Sequence, residues 1–206
     1  MERILLEICC GSADDCVEAE RGGADRVELN SALFLGGLTP SLGTVRIAAQ
    51  TCKIPIMAMI RPRAGGFCYT AREFESMEQD ARALIEAGAA GIVFGCLTSE
   101  GTPDVERNAR LTAIAHDMGA QAVFHRAIDV VPDWRAALDA LIQLGVDRVL
   151  TLSLINIYRG TGMYLSSRMS SGRFIRCSVT QVVISFAPWQ QVSSPSGVVI
   201  VVRVTA

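Results

Sequence analysis

The first 151 residues alternate between two hydrophobic periods. Short apolar runs recur between longer stretches in which apolar residues return every three or four positions. The runs predict strands over 4–9, 25–29, 56–61, 91–95, 121–125 and 147–151. The stretches predict helices over 12–21, 41–50, 71–87, 104–118 and 133–144. Helix 71–87 has the fullest set of signals. Thr70 and Glu73 are spaced as a capping box, and Phe74, Met77, Ala81, Leu84 and Ile85 form one apolar stripe. Thr102-Pro103 reads as an N-cap with proline in the first turn of the next helix.

A repeated punctuation organises these elements. Gly23-Ala-Asp-Arg-Val27, Gly88-Ala-Ala-Gly-Ile92, Gly119-Ala-Gln-Ala-Val123 and Gly145-Val-Asp-Arg-Val149 each follow a helical stretch and precede an apolar run. A helix ended by glycine in the left-handed conformation and a tight return into a strand explains all four. The period of about 25–35 residues is one strand, one helix and two loops. Such alternation argues a parallel sheet with helical crossovers. Six units fit either a doubly wound open sheet or a (β/α)₈ barrel, the TIM barrel. Barrels typically need ~250 residues, so this one is expected to be incomplete, about six units followed by an atypical tail.

Composition separates that tail from the rest. Residues 1–151 hold all 21 acidic residues, whereas 152–206 contain five arginines, ten serines and no Asp, Glu or Lys. The expectation is a partial barrel over 1–151 and a foreign tail over 152–206, as a reading-frame change near Thr151 would produce. Segments 179–186 and 197–204 are apolar and β-prone, and are candidates to pair with the edge left by strand six. A hydrophobic content of 50% excludes disorder, and no apolar run is long enough to cross a bilayer. A net charge of −2 argues against non-specific nucleic-acid binding. Glu2 and Glu7 stand where a signal peptide would be basic and then apolar, so a cytoplasmic location and reduced cysteines are expected.

The polar residues gather at one end of the strands. Alternation puts Glu7 and Cys9 on one face of the first strand, Glu28 and Asn30 on the second, and Met57, Met59 and Arg61 on the third. Arg63 follows in a turn, and the fifth strand ends in His125-Arg126 with Asp129 in the loop beyond. Catalytic and binding groups of barrels collect at this end. Pairing Glu7 and Glu28 with Arg61 and His125 would satisfy charges placed inside apolar strands. Cys9 is the best candidate for a metal-binding thiol, with Cys10, Cys68 or Met59 as a second soft donor to Cu(I). No Cys/His spacing suits a structural zinc, and no Walker, GxSxG or HExxH motif is present.

Linked motifs carry a resemblance over residues 2–151. LLEICCGS (5–12), GGADRVELN (22–30), GGLTPSLG (36–43), MIRPRAGGFCYT (59–70), GIVFGCLTSEG (91–101), FHRAIDVV (124–131) and LGVDRVLT (144–151) resemble the CutC family of copper homeostasis proteins. The resemblance implies a TIM barrel, a cytoplasmic location, Cu(I) binding and a homodimer if the barrel is intact. It aligns Cys9 with a proposed copper ligand, while Asn30 stands where a second proposed cysteine would be. Glu7, Glu28, Arg61, Arg63, His125, Arg126 and Asp129 match the polar positions of the family's barrel mouth. The pattern RPRGGDF appears as Arg61-Pro-Arg-Ala-Gly-Gly-Phe67, without its aspartate. Two readings follow. One is a copper homeostasis protein that handles Cu(I) through Cys9, with neither nucleic acid nor membrane as partner. The other is a barrel enzyme on a small anionic substrate. There Arg61 and Arg63 clamp the anion, Arg126 and Asp129 contact it, and His125 acts as acid or base beside Glu7 and Glu28.

Overall fold

A computed structural model describes residues 5–151 in full, together with the backbone of 164–168, 174–185 and 198–203. The first part follows the predicted order: β1 (Leu5–Cys10), α1 (Ala13–Arg21), β2 (Arg26–Leu29), α2 (Leu42–Thr51), β3 (Ile56–Met59), α3 (Ala71–Glu86), β4 (Gly91–Phe94), α4 (Val105–Asp117), β5 (Gln121–Phe124), α5 (Trp134–Gln143) and β6 (Arg148–Thr151). Each helix begins on a side chain that accepts a backbone N–H: Ser12, Ser41, Thr70, Asp104 and Asp133. The capping box of Thr70 and Glu73 is complete. Asp104, not Thr102, caps α4. Its carboxylate accepts from the Arg107 N–H at 3.1 Å, while the Thr102 hydroxyl is turned to that of Thr98 at 2.9 Å. The glycines that punctuate the repeat all take positive φ, as at Gly88 (φ +109°).

β1 to β6 pair in sequence order, every pair parallel. Three strands follow from the tail: β7 (Tyr164–Arg168), β8 (Phe174–Ser185) and β9 (Val198–Arg203). β9 lies parallel to β1, β8 antiparallel to both β9 and β6, and the sheet returns on itself as a ring of eight strands. Thus five βα units and a sixth parallel strand form the partial barrel that the sequence predicts, and two strands without that pattern close it. Thr151 pairs with Val182, so the first half of β8 runs beyond the end of β6, where it pairs with β7. The remainder of 152–206 lies outside the described residues.

Strand alternation divides the interior into two. Outward residues such as Leu29, Ala58, Ile92, Phe94 and Phe124 pack on the helix stripes of Val45, Met77, Leu84, Leu111 and Leu141 to form the main core. Inside the ring, Met57, Met59, Val93 and Val123 form a separate apolar cluster. Gly91 makes room for it, since a Cβ there would lie 2.7 Å from Met57 Sδ. Six further inward positions are charged or polar and buried: Glu7, Arg26, Glu28, Arg61, His125 and Arg148.

Candidate functional site

The charged residues inside the ring lie at two levels. At the lower level Glu7 and Arg26 are register partners of β1 and β2, and Arg26 Nε donates to Glu7 Oε2. Arg148, at the start of β6, reaches Met57 Sδ at 3.0 Å. This corrects the expected pairing of Glu7 with Arg61 or His125. A partner on the adjacent strand is already in register, whereas Arg61 and His125 stand past the ends of theirs. Arg26 and Arg148 were not among the candidates, although each shares the strand parity of an inward residue.

The upper level lines a cavity of about 620 Å³. Cys9, Glu28 and Met59 form part of its wall, Asn30, Arg61, Phe67, His125 and Arg126 its rim, and the loop Leu33–Gly37 lies across it. The Cys9 thiol donates to Glu28 Oε1 at 3.5 Å, and Asn30 Nδ2 donates to Cys9 Sγ at 3.3 Å and to Glu28 Oε1 at 3.0 Å. Glu28 therefore meets an amide and a thiol, not Arg61 or His125. Burial, helped by the charge of Glu7, pushes its carboxyl up to about 7. Its second oxygen, Oε2, has no hydrogen-bond partner among the described residues.

The three arginines differ in what holds them. Arg61 donates through Nη1 to the carbonyls of Leu35 and Gly37, and through Nη2 to that of Gly65. It thus ties two loops over the cavity, and burial lowers its pKa. Arg63 lies outside the cavity lining. Its Nε donates to Glu73 Oε1 at 2.5 Å and its Nη2 to the Cys68 carbonyl at 2.9 Å, which fixes the 62–70 loop on the start of α3. Arg126 is half-buried in a 3₁₀ turn after β5 and stacks on Phe67 with its guanidinium 5.5 Å from the ring centroid. Arg61 stacks on that ring as well, at 5.3 Å.

His125 is buried against the same ring, 4.7 Å between centroids. Its Nδ1 accepts from the Ala127 N–H at 3.2 Å, which places the ring proton on Nε2. That N–H has no partner among the described residues. Burial, then Arg61 and Arg126, push the imidazole down to about 3, so it is neutral at physiological pH. Gly95 makes the position possible, since a Cβ there would lie 2.5 Å from Nδ1. Asp129 accepts from the Thr151 hydroxyl beyond the rim.

Of the described cysteines, only Cys9 lines the cavity. Cys10 is buried in the outer core, where a hydrogen bond with Cys16 and burial raise its pKa well above the ordinary thiol range. Cys68 is exposed on the loop that Arg63 holds. Among the described residues, no three of His, Cys, Asp and Glu are grouped to hold a metal ion. Among the described residues the soft donors of the lining are the Cys9 thiol and the Met59 thioether, a set suited to Cu(I) at low coordination number. No described helix is long and apolar enough to cross a membrane.

Comparison with known proteins shows the family. A model of the CutC family matches residues 4–159. The family protein CutC of Treponema denticola is 54% identical over 151 residues, 73% of this chain and 61% of that protein. The human copper homeostasis protein cutC homolog is 48% identical over 147 residues, 71% of this chain and 53% of its own length. The chain thus spans little more than half the length of these curated relatives. The crystal structure of CutC from Streptococcus agalactiae superposes with a TM-score of 0.69 at 35% identity, covering 73% of each chain.

Proposed function

Because the chain belongs to the CutC family, we propose that it serves copper homeostasis by holding Cu(I) with Cys9 at the mouth of its barrel. The observation that carries this reading is the contact of the Cys9 thiol with Glu28 in a cavity also lined by Met59. A thiol must lose its proton to bind a metal. Glu28 Oε1 stands within reach to take it, and the Asn30 amide donates to the sulfur where the thiolate charge would form. Asn30 thus supports the thiolate in place of a second sulfur, and Met59 supplies the second soft donor. The cytoplasm suits such a site, because thiols stay reduced there.

An anaerobic Cu(I) titration against a competing chelator tests this on wild type, Cys9→Ser and Met59→Leu. The expected result is one equivalent bound, with affinity lowered at least tenfold by Cys9→Ser and less by Met59→Leu. Affinity should rise with pH, because binding releases the thiol proton. Binding that is indifferent to Cys9 would overturn the assignment.

A further inference from the structure

Apart from Glu28, which the copper reading shares, the same cavity holds a second set of groups that copper does not use. Phe67 carries two guanidinium groups and an imidazole on one ring, from Arg61, Arg126 and His125. Among the described residues neither arginine forms an ion pair: Arg61 donates through Nη1 and Nη2 to loop carbonyls, and Arg126 has no carboxylate against it. The two lie close, since a Cβ on Gly36 would stand 2.5 Å from Arg126 Nη2 and 3.5 Å from Arg61 Nη1. Two cations on one aromatic ring, without an ion-pair partner among the described residues, make this rim electropositive.

Four buried polar atoms of the lining are unmatched among the described residues, Glu28 Oε2, Asn30 Oδ1, Arg61 Nε and His125 Nε2, and the first and last of them carry the argument. His125 is 1% exposed, and its Nε2–H is left over once Nδ1 accepts from the backbone. Glu28 is 3% exposed, and its Oε2 is unpaired although Oε1 is engaged. A buried donor or acceptor without a partner costs about 1–3 kcal/mol, so such atoms mark where a ligand would gain most. His125 Nε2–H beside Arg126 asks for an acceptor that carries negative charge. Glu28 Oε2 asks for a hydroxyl, which can accept from the protonated carboxyl or donate to the ionised one.

We propose that the cavity binds a small hydroxylated oxyanion, its charged oxygens on Arg126 and His125 Nε2–H and its hydroxyl on Glu28. The assignment differs from a clamp by Arg61 and Arg63. Arg61 shapes the rim, Arg63 anchors a loop outside it, and Arg126 is the cation free to meet the ligand. His125 is a fixed neutral donor. This site does not rest on copper binding, and either property can hold without the other.

Calorimetric titration of the metal-free full chain tests the proposal with four probes: glycolate, glycerol 3-phosphate, acetate and glycerol. Glycolate or glycerol 3-phosphate should bind saturably, and whichever binds tighter tells a carboxylate from a phosphate. Acetate, which lacks the hydroxyl, should bind at least fivefold more weakly than glycolate, and glycerol, which lacks the charge, should not bind. Arg126→Ala, at a half-exposed position, should weaken the better probe at least tenfold without lowering the melting temperature by more than a few degrees. His125→Asn keeps an oxygen to accept from the Ala127 N–H and removes the Nε2 donor, and should weaken it at least fivefold. Absence of saturable binding by both hydroxylated anions overturns the proposal. So does binding that both variants leave unchanged, or acetate binding as tightly as glycolate.

Discussion

Glu28 and His125 line one cavity with pKa values displaced in opposite senses, and their effects on stability separate by pH. Burial raises the Glu28 carboxyl from its ordinary 4.5 to about 7, so the folded protein holds a proton there that the unfolded chain has released. The resulting stabilisation is complete below about 4.5 and lost as pH rises through about 7. Glu28→Gln, which keeps an oxygen for Asn30, should therefore be more stable than wild type at pH 8, by up to ~3 kcal/mol. At pH 5 the advantage should largely disappear. Urea denaturation at the two pH values checks this, and a difference that does not change with pH would contradict it. His125 acts the other way. Its pKa falls from 6.5 to about 3, so stability present above 6.5 is lost as acid protonates the unfolded chain first. His125→Asn should flatten that acid limb. At this scale the sequence was legible wherever strand parity decides. Cys9, Glu28 and Asn30 lie in the cavity lining as alternation places them. Arg26 shares the parity of Glu28, and Arg148 that of Leu150, yet both sit inside a repeated turn motif and read as part of it. Which cation meets which carboxylate depends on register between strands, and alternation along one strand does not contain it.

Among the elements, side-chain caps fix the helices more firmly than the periodic stripes do. Asp104→Ala removes the cap of α4 and should cost ~1 kcal/mol, whereas Thr102→Ala, at a residue bonded only across its own turn, should cost less than half as much. Denaturant unfolding of the two variants distinguishes the positions. The helices and parallel strands were readable because each spans enough residues to show a period. The 3₁₀ turns Leu33–Leu35 and Arg126–Val130 do not, and they matter most for the site. One turn carries the loop that Arg61 ties down, and the other turns Arg126 onto Phe67. Arg63 shows the same limit. The pattern placed it in a loop after β3, but only the folded α3 brings Glu73 to hold it away from the cavity.

For the whole molecule, the break in composition at Thr151 was plain in the sequence, but not what the tail would do. Apolar β-prone segments announce strands, and nothing in them states direction or edge. In the structure one runs antiparallel beside β6 and another parallel beside β1. A chain ended after Thr151 would leave both edges bare, and exposed edges recruit further strands. Such a truncation should elute as soluble aggregates in size-exclusion chromatography with light scattering, whereas a monomer that melts cooperatively would show that the six-stranded part needs no closure. The register of β1 with β9 has a kinetic consequence. Leu5 is bonded beside Val199, nearly the full length of the chain away. Loop closure over that distance is entropically the most demanding contact in the fold. During synthesis β2 can join β1 early, but the other edge of β1 must wait until β9 has emerged. The barrel's first strand is thus among the last to be fully covered, and until β9 arrives its bare edge is open to pairing with another chain.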